Sequence, residues 1–169
     1  MAIVYYTELK CPLGTLVLES DGKALTCVRL PGEPQPVAAV GSERVRDPKP
    51  FAAAVAQLQE YFAGTRRKFD LTLAPHGTAF QLKVWRELRK IPYGRTISYA
   101  VLAHRAGNDN ACRAVGAANG RNPLPIVVPC HRVIGADGSL TGFGGGIEAK
   151  RWLLELEGAG ASRAGKAAG

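Results

Sequence analysis

Hydrophobic positions recur with two different periods along this chain. Residues 15–19 and 24–30 are short, mainly apolar runs that flank Asp21-Gly22, a strong hairpin turn signal. Phe51, Val55, Leu58 and Phe62 then recur at helical spacing, and Gly64 is a natural stop. Pro31, Pro34, Pro36, Pro48 and Pro50 assign most of residues 31–50 to loop. Residues 69–73 alternate and predict a further strand. From Thr78 onward the pattern is mostly helical. Thr78-Ala79-Phe80-Gln81 has the form of a capping box, and Phe80, Val84 and Leu88 fall on one face of the helix it starts. Ile91-Pro92-Tyr93-Gly94 ends that helix. Ser98 caps a second helix from Tyr99 to Ala106, closed by Gly107. Asn108 or Asp109 caps a third, which carries Cys112, Arg113, Val115 and Ala118. A last helix has Ala149, Trp152, Leu153 and Leu156 on one face and ends at Glu157-Gly158.

These elements predict an α/β chain of the α+β kind. A small N-terminal sheet-plus-helix domain spans 1–75, and a mainly helical domain with a helix-turn-helix spans 76–158. The remaining residues, 159–169, are Ala/Gly/Lys without core positions and are expected to be a disordered tail. The hydrophobic content of 46% suffices for a packed core. No window approaches the ~18 consecutive apolar residues of a membrane span. The first residues lack the charged and apolar regions of a signal peptide. A cytoplasmic, reducing location with no membrane partner is the expectation.

Charge adds a direction. Residues 1–75 hold 9 Lys+Arg and 8 Asp+Glu, whereas residues 76–169 hold 13 and 6. The basic excess therefore sits in the helical part, which fits either a polyanion partner such as nucleic acid or a solvated cationic surface. Two short helices joined by a glycine turn fit a helix-turn-helix, whose second helix enters a DNA groove, and equally fit a packed pair. The second of them is rich in small residues, with Arg113 as its one long charged group.

Pro129-Cys130-His131-Arg132-Val133 is the chemically richest stretch. A cysteine is a strong nucleophile only as thiolate, and so needs a base or a positive group nearby. His131 and Arg132 are the local candidates. The pentapeptide leaves a second reading open, a buried cysteine at a strand end after Ile126-Val127-Val128. Neighbours in an extended segment point to opposite sides, so Cys130 and His131 face each other only through a relay or a break at Pro129. Cys11, Cys27, Cys112 and Cys130 form no Cys-x-x-Cys pair and no zinc spacing. The glycine-rich run 141–146 lacks the Gly-Lys-Ser/Thr of a phosphate-binding loop.

Ile91-Pro92-Tyr93-Gly94, Ser98-Tyr99, Arg113-Ala114-Val115-Gly116, Asn122-Pro123, Pro129 to Val133 and Trp152-Leu153-Leu154 occur in that order. Together they resemble the O6-alkylguanine-DNA alkyltransferases. The match is dense over 78–158 and sparser over 1–75, where Pro12-Leu13-Gly14 and Tyr61-Phe62-Ala63-Gly64 are consistent with it. The resemblance implies direct repair of O6-alkylguanine in double-stranded DNA, by transfer of the alkyl group to the protein's own cysteine. Cys130 becomes the acceptor, His131 the base acting through a water, Glu157 the group that orients it, and Asn122 a support for the turn. Tyr99 contacts an extruded base and Arg113 fills the gap it leaves. Ser98, Arg121 and Val133 join the DNA and base contacts. So do Phe143 and Gly144, although relatives often carry tyrosine and serine there. Cys11 and Cys27 miss the zinc positions of zinc-binding relatives, so no metal and no cofactor is expected. Cys112 is expected to pack in the recognition helix. The thioether product is a poor leaving group, which implies one turnover per molecule. The protein is expected to act as a monomer, with cooperativity along DNA left open. Two rivals stand beside this reading. A transcription regulator would prefer a defined operator, and a cysteine hydrolase would need an oxyanion hole that the sequence does not display.

Overall fold

The computed structural model describes residues 2–34 and 40–159. The chain divides into two compact units, residues 1–76 and 77–169.

The first unit is built on a four-stranded sheet of order β3-β2-β1-β4. Strands β1 (Ala2–Cys11), β2 (Gly14–Ser20) and β3 (Leu25–Arg29) run antiparallel as a meander. β4 (Ser42–Arg46) returns parallel to β1, with Ala2 opposite Ser42. The turn at Asp21-Gly22 forms as its sequence predicts. The Asp21 carboxylate accepts from the Lys23 and Ala24 N–H groups at 2.8 and 2.9 Å, and Gly22 takes φ +96°. Residues 31–50 are not loop throughout. They contain β4 and a 3₁₀ turn at Lys49–Phe51, while Pro36 lies outside the described residues. β4 has one apolar residue in five, which an edge strand tolerates.

Helix α1 (Ala52–Phe62) buries Ala54, Leu58 and Tyr61, following Phe51 at the same spacing. The stripe is thus rotated from the expected one, and Val55 and Phe62 are only half-buried. Residues 69–73 make no strand. Their extended backbone forms one isolated bridge, Leu73 with Leu25. The Asp70 N–H and C=O are both taken by the Gln57 side chain, at 2.8 and 2.9 Å, which leaves them no ladder partner.

The second unit opens with α2 (Ala79–Leu88) and its complete capping box. Gln81 N donates to Thr78 Oγ1 at 3.1 Å, and Thr78 N donates to Gln81 Oε1 at 2.9 Å. The buried face is Val84, Trp85 and Leu88, whereas Phe80, expected on that face, is 37% exposed. A two-residue parallel pair follows, β5 (Ile97–Ser98) with β6 (Val133–Ile134). Helices α3 (Tyr99–Arg105) and α4 (Cys112–Gly120) pack on each other and on α2. The Trp85 indole fixes α4 by donating to the Ala118 carbonyl at 2.8 Å. Ser98 caps α3, its hydroxyl accepting from Val101 N, and Gly107 closes it at φ +90°. Neither Asn108 nor Asp109 caps α4. Asn108 Oδ1 accepts from Asn110 N, and Asp109 pairs with His104 Nδ1 at 2.7 Å, so Ala111 is left as an uncapped start.

The last helix, α5 (Ile147–Leu156), buries Lys150, Leu153 and Leu154. That face is rotated from the one that Ala149, Trp152 and Leu156 define. Ala159 packs with Ile134 and Leu154, so residue 159 belongs to the fold, and the expected tail from 160 onward lies outside the described residues. Among the described residues no helix is long and apolar enough to cross a membrane.

Candidate active site

The segment leading to Cys130 is not a strand. Pro125 and Val128 form one isolated bridge, and Val128 N donates back to the Leu124 carbonyl at 2.8 Å. Ile126 sits at φ +75°, a conformation that a β-branched residue rarely adopts. Asn122 closes this loop from within. Its Oδ1 accepts from Leu124 N at 3.0 Å and its Nδ2 donates to the Val128 carbonyl at 2.8 Å. Pro129, at φ −80° and ψ 67°, makes an inverse γ-turn in which Cys130 N donates to the Val128 carbonyl at 2.8 Å. The backbone then enters a single 3₁₀ turn, Cys130–Arg132. The backbone does break at Pro129, so Cys130 and His131 stand on a turn and not on a continuing strand. Asn119, buried in α4, adds a second clamp by donating from Nδ2 to the Cys130 carbonyl at 3.3 Å.

The two residues after Cys130 enter a dry ionic cluster. His131 Nε2 meets Glu157 Oε2 at 2.8 Å, and neither side chain has any exposed surface. Arg132 grips the same carboxylate with both arms, Nε to Oε1 at 2.8 Å and Nη2 to Oε2 at 2.9 Å. Its Nη1 donates to the Ile91 carbonyl at 2.7 Å. Arg132 is thus committed to Glu157 and is not the positive group for the thiol that its sequence position suggests.

The Ile91-Pro92-Tyr93-Gly94 motif completes this cage. The Arg132 guanidinium lies 5.7 Å from the centre of the Tyr93 ring, and the Tyr93 hydroxyl donates to the Leu156 carbonyl at 3.3 Å. Gly94, at φ +79°, stands where a Cβ would come within 3.0 Å of the Glu157 carbonyl.

These contacts determine the protonation states. Burial alone would raise the Glu157 carboxyl, but hydrogen bonds and charge from His131 and Arg132 override it and hold it well below the usual carboxylate range. Burial holds His131 below its ordinary value against the pull of Glu157. An ionised Glu157 only accepts, so Nε2 of a neutral His131 carries the proton. The basic nitrogen is then Nδ1, which is buried and has no hydrogen-bond partner. A buried acceptor left in this state is costly unless it serves a purpose. The cluster can take up one proton at Nδ1 and stabilise the resulting cation through Glu157.

The residues expected to meet a ligand differ in how the fold places them. Tyr99, at the start of α3, places its hydroxyl 3.4 Å from the Thr141 carbonyl and 3.3 Å from Oγ1. Gly116 of α4 faces the Tyr99 ring. Phe143 is half-buried and Gly144 exposed in the glycine-rich loop. Arg113 and Arg121 are exposed, near the start of α4 and at its C-cap, and do not join the thiol cluster. Val133 is fully buried. The Ser98 hydroxyl is engaged as a helix cap. Cys112 is exposed and does not pack in the helix as expected. Among the described residues no group of three His, Cys, Asp or Glu could hold a metal ion.

Two residues escaped the sequence reading. Asn119 gives no local signal, because its partner lies in the reactive turn. Lys150 is fully buried, with its ammonium on the Val133 and Thr141 carbonyls at 2.7 Å each. Extending the helical face of α5 through Glu157 would have placed Lys150 on it, since 150, 153, 154 and 157 form one stripe.

The comparisons agree with this architecture. Residues 4–75 match the family described as 6-O-methylguanine DNA methyltransferase, ribonuclease-like domain, and residues 79–159 match its DNA binding domain. The methylated-DNA–protein-cysteine methyltransferase of Mycobacterium tuberculosis is 48% identical over 155 residues, covering 92% of this chain and 93% of the relative. That of Methanosarcina acetivorans is 45% identical over 155 residues, covering 92% and 99%. The crystal structure of the M. tuberculosis O6-methylguanine methyltransferase superposes with a TM-score of 0.84 at 48% identity, covering 92% of this chain and 93% of that one. The M. tuberculosis protein in complex with DNA gives 0.85 at 48% identity, covering 90% and 92%. The chain belongs to the methylated-DNA–protein-cysteine methyltransferase family.

Proposed function

We propose that this protein repairs O6-alkylguanine in duplex DNA by moving the alkyl group to Cys130 Sγ, once per molecule. The observation that carries the reading is the buried Glu157–His131 pair, which leaves Nδ1 as an unpartnered base on the same turn as the thiol. Side chains of consecutive residues on a 3₁₀ turn diverge, so a water relays the Cys130 proton to Nδ1. The thiolate then displaces guanine at the alkyl carbon: the S–C bond forms, the C–O6 bond breaks, and its electron pair leaves with the base. Tyr99 O–H donates to the base as that charge develops. Asn122 and Asn119 hold the turn so that sulfur does not retreat. The thioether cannot be expelled, so the site closes after one transfer.

The target carbon lies inside a base stack and must be extruded. In this reading α3 and α4 form the helix-turn-helix, with α4 at the DNA. Arg113 occupies the place of the extruded base, and Arg121 and Ser98 flank the backbone. Phe143, Gly144 and the Val133 segment wall the pocket. The protein works as a cytoplasmic monomer.

Incubation with an O6-methylguanine duplex adds a single methyl, located on Cys130 by peptide mass spectrometry, and Cys130→Ser abolishes it. A methyl on Cys11, Cys27 or Cys112 overturns the assignment. Arg113→Ala slows transfer from duplex by at least ~10-fold, as expected for a lost share of the few kcal/mol of base extrusion. Transfer from the free modified base is nearly unchanged. Equal slowing removes Arg113 from the extrusion step.

A further inference from the structure

Tyr99 and Thr141 are 42 residues apart in the chain, and one frame brings them together. Tyr99 follows directly on β5, which pairs with β6 through Ile97 opposite Val133 and Ser98 opposite Ile134. Lys150, buried on α5, donates from Nζ to the Val133 and Thr141 carbonyls at 2.7 Å each. The backbone of β6 therefore seats both the tyrosine and the start of the glycine-rich loop. The loop turns away at once. Gly142 takes φ +53°, and a Cβ there would lie 3.9 Å from the Tyr99 hydroxyl.

In this frame the phenol oxygen lies 3.3 Å from Thr141 Oγ1 and 3.4 Å from the Thr141 carbonyl. The two partners are not equivalent. A carbonyl only accepts, and this one already receives the Lys150 ammonium. A hydroxyl accepts or donates, and its rotor turns to suit. A tyrosine that gives its proton to a base turns from donor to acceptor on its other side. Of the two partners, only the threonine hydroxyl can follow that change.

Building on the alkyl-transfer reading, we propose that Thr141 is a positioning residue for Tyr99: its hydroxyl receives the phenol O–H while the site is empty and reverses to donate to the phenol oxygen when that O–H turns to the extruded guanine. The chain of bonds then runs from Thr141 Oγ1–H to the Tyr99 oxygen, and from Tyr99 O–H to the base. Donation into the phenol oxygen polarises its O–H. The bond to guanine strengthens as the base takes the electron pair of the breaking C–O6 bond. Both hydroxyls keep their protons, and Thr141 touches no reacting atom. The reversal needs no backbone movement, because Lys150 holds the Thr141 carbonyl and only the hydroxyl rotor turns.

The test is a double-mutant cycle on the single-turnover rate of methyl transfer from saturating O6-methylguanine duplex to the full-length protein, with Cys130 methylation read by peptide mass spectrometry. Thr141→Val keeps the shape of the side chain and the carbonyl but removes the hydroxyl. It slows transfer ~5–10-fold, the worth of one hydrogen bond, and leaves duplex affinity as it was. Thr141→Ser, which keeps the hydroxyl, restores most of the rate. Tyr99→Phe slows transfer ~100-fold. In the Tyr99→Phe background no phenol oxygen is left to receive a bond, so Thr141→Val adds no further loss. A role confined to the shape of the loop would cost the same in both backgrounds, and that result overturns the proposal. Thr141→Ser as slow as Thr141→Val overturns it as well. If the unaltered protein leaves Cys130 unmethylated, the alkyl-transfer reading falls and takes the role of Thr141 with it. If the unaltered protein methylates Cys130 and Thr141→Val keeps pace with it, the positioning role alone is lost.

Discussion

Each unit of this protein holds a carboxylate between two cations, and the two arrangements do different things. On the sheet, Glu19 lies between Arg29 at 3.3 Å and Arg44 at 2.6 Å, with Arg44 stacked 4.7 Å over the Tyr6 ring. The side chains keep 24% and 21% of the arginine surfaces in water. In the helical unit, Glu157 lies between His131 and Arg132 with none of its own side chain exposed. Pairing alone does not make a reactive site. Water reaching Arg29 and Arg44 screens the trio, which fastens β2, β3 and β4. Dryness around Glu157 makes every charge there depend on its neighbour, so that histidine, arginine and carboxylate act as one group. Burial pushes the Cys27 thiol up to about 11, although Arg29 and Arg44 pull the other way.

The largest effect that sharpens this contrast is expected from Glu157→Gln. It leaves Arg132 buried without its counter-charge, and denaturant unfolding should show a loss of ~3–5 kcal/mol. A loss below ~1 kcal/mol would erase the difference between the two trios.

Next comes pH. His131 is held below its ordinary value of 6.5, so the unfolded chain binds a proton there that the native chain refuses. Its contribution is complete above 6.5 and is lost as pH falls below it. Glu157 is held below its ordinary 4.5, so its contribution, present above that value, is lost on further acidification. Midpoints of unfolding in urea should therefore decline on acidification from pH 6.5, and below pH 4.5 more shallowly in Glu157→Gln, which lacks the titrating carboxyl. A flat profile between pH 6.5 and 4 would break the argument.

The smallest effect belongs to Glu19→Gln, ~1 kcal/mol or less and weaker still in high salt, with methyl uptake unchanged. A loss comparable to that of Glu157→Gln would show that the sheet trio is as dry in function as the helical one.

The parts of the fold legible in the sequence are those whose hydrogen bonds close within a few residues. Asp21-Gly22, the Thr78–Gln81 box, the Ser98 cap and the glycine stops are all of this kind, and each formed as its residues imply. Helix faces were legible only to within a residue or so. The stripe on α5 was misplaced because a lysine occupies a core position, and hydropathy reads lysine as solvent-facing. Strand β4 was missed because its partner is β1, some 40 residues upstream, and an edge strand needs no apolar run. The strand expected at 69–73 failed for a related reason: a side chain of α1 claimed the backbone groups that a ladder would have used.

The sequence by itself determined which residues could react: a cysteine next to a histidine, a carboxylate at a helix end, an asparagine before a proline, and a basic half. The tertiary structure alone decided which of them are dry, which nitrogen of His131 is free, that Arg132 serves Glu157, and that Lys150 ties the Val133 and Thr141 carbonyls together. The physical reason is separation along the chain. His131 and Glu157 stand 26 residues apart, and Arg132 reaches a carbonyl 41 residues away. Exclusion of water at such meeting points is a property of the packed whole, and no local pattern carries it.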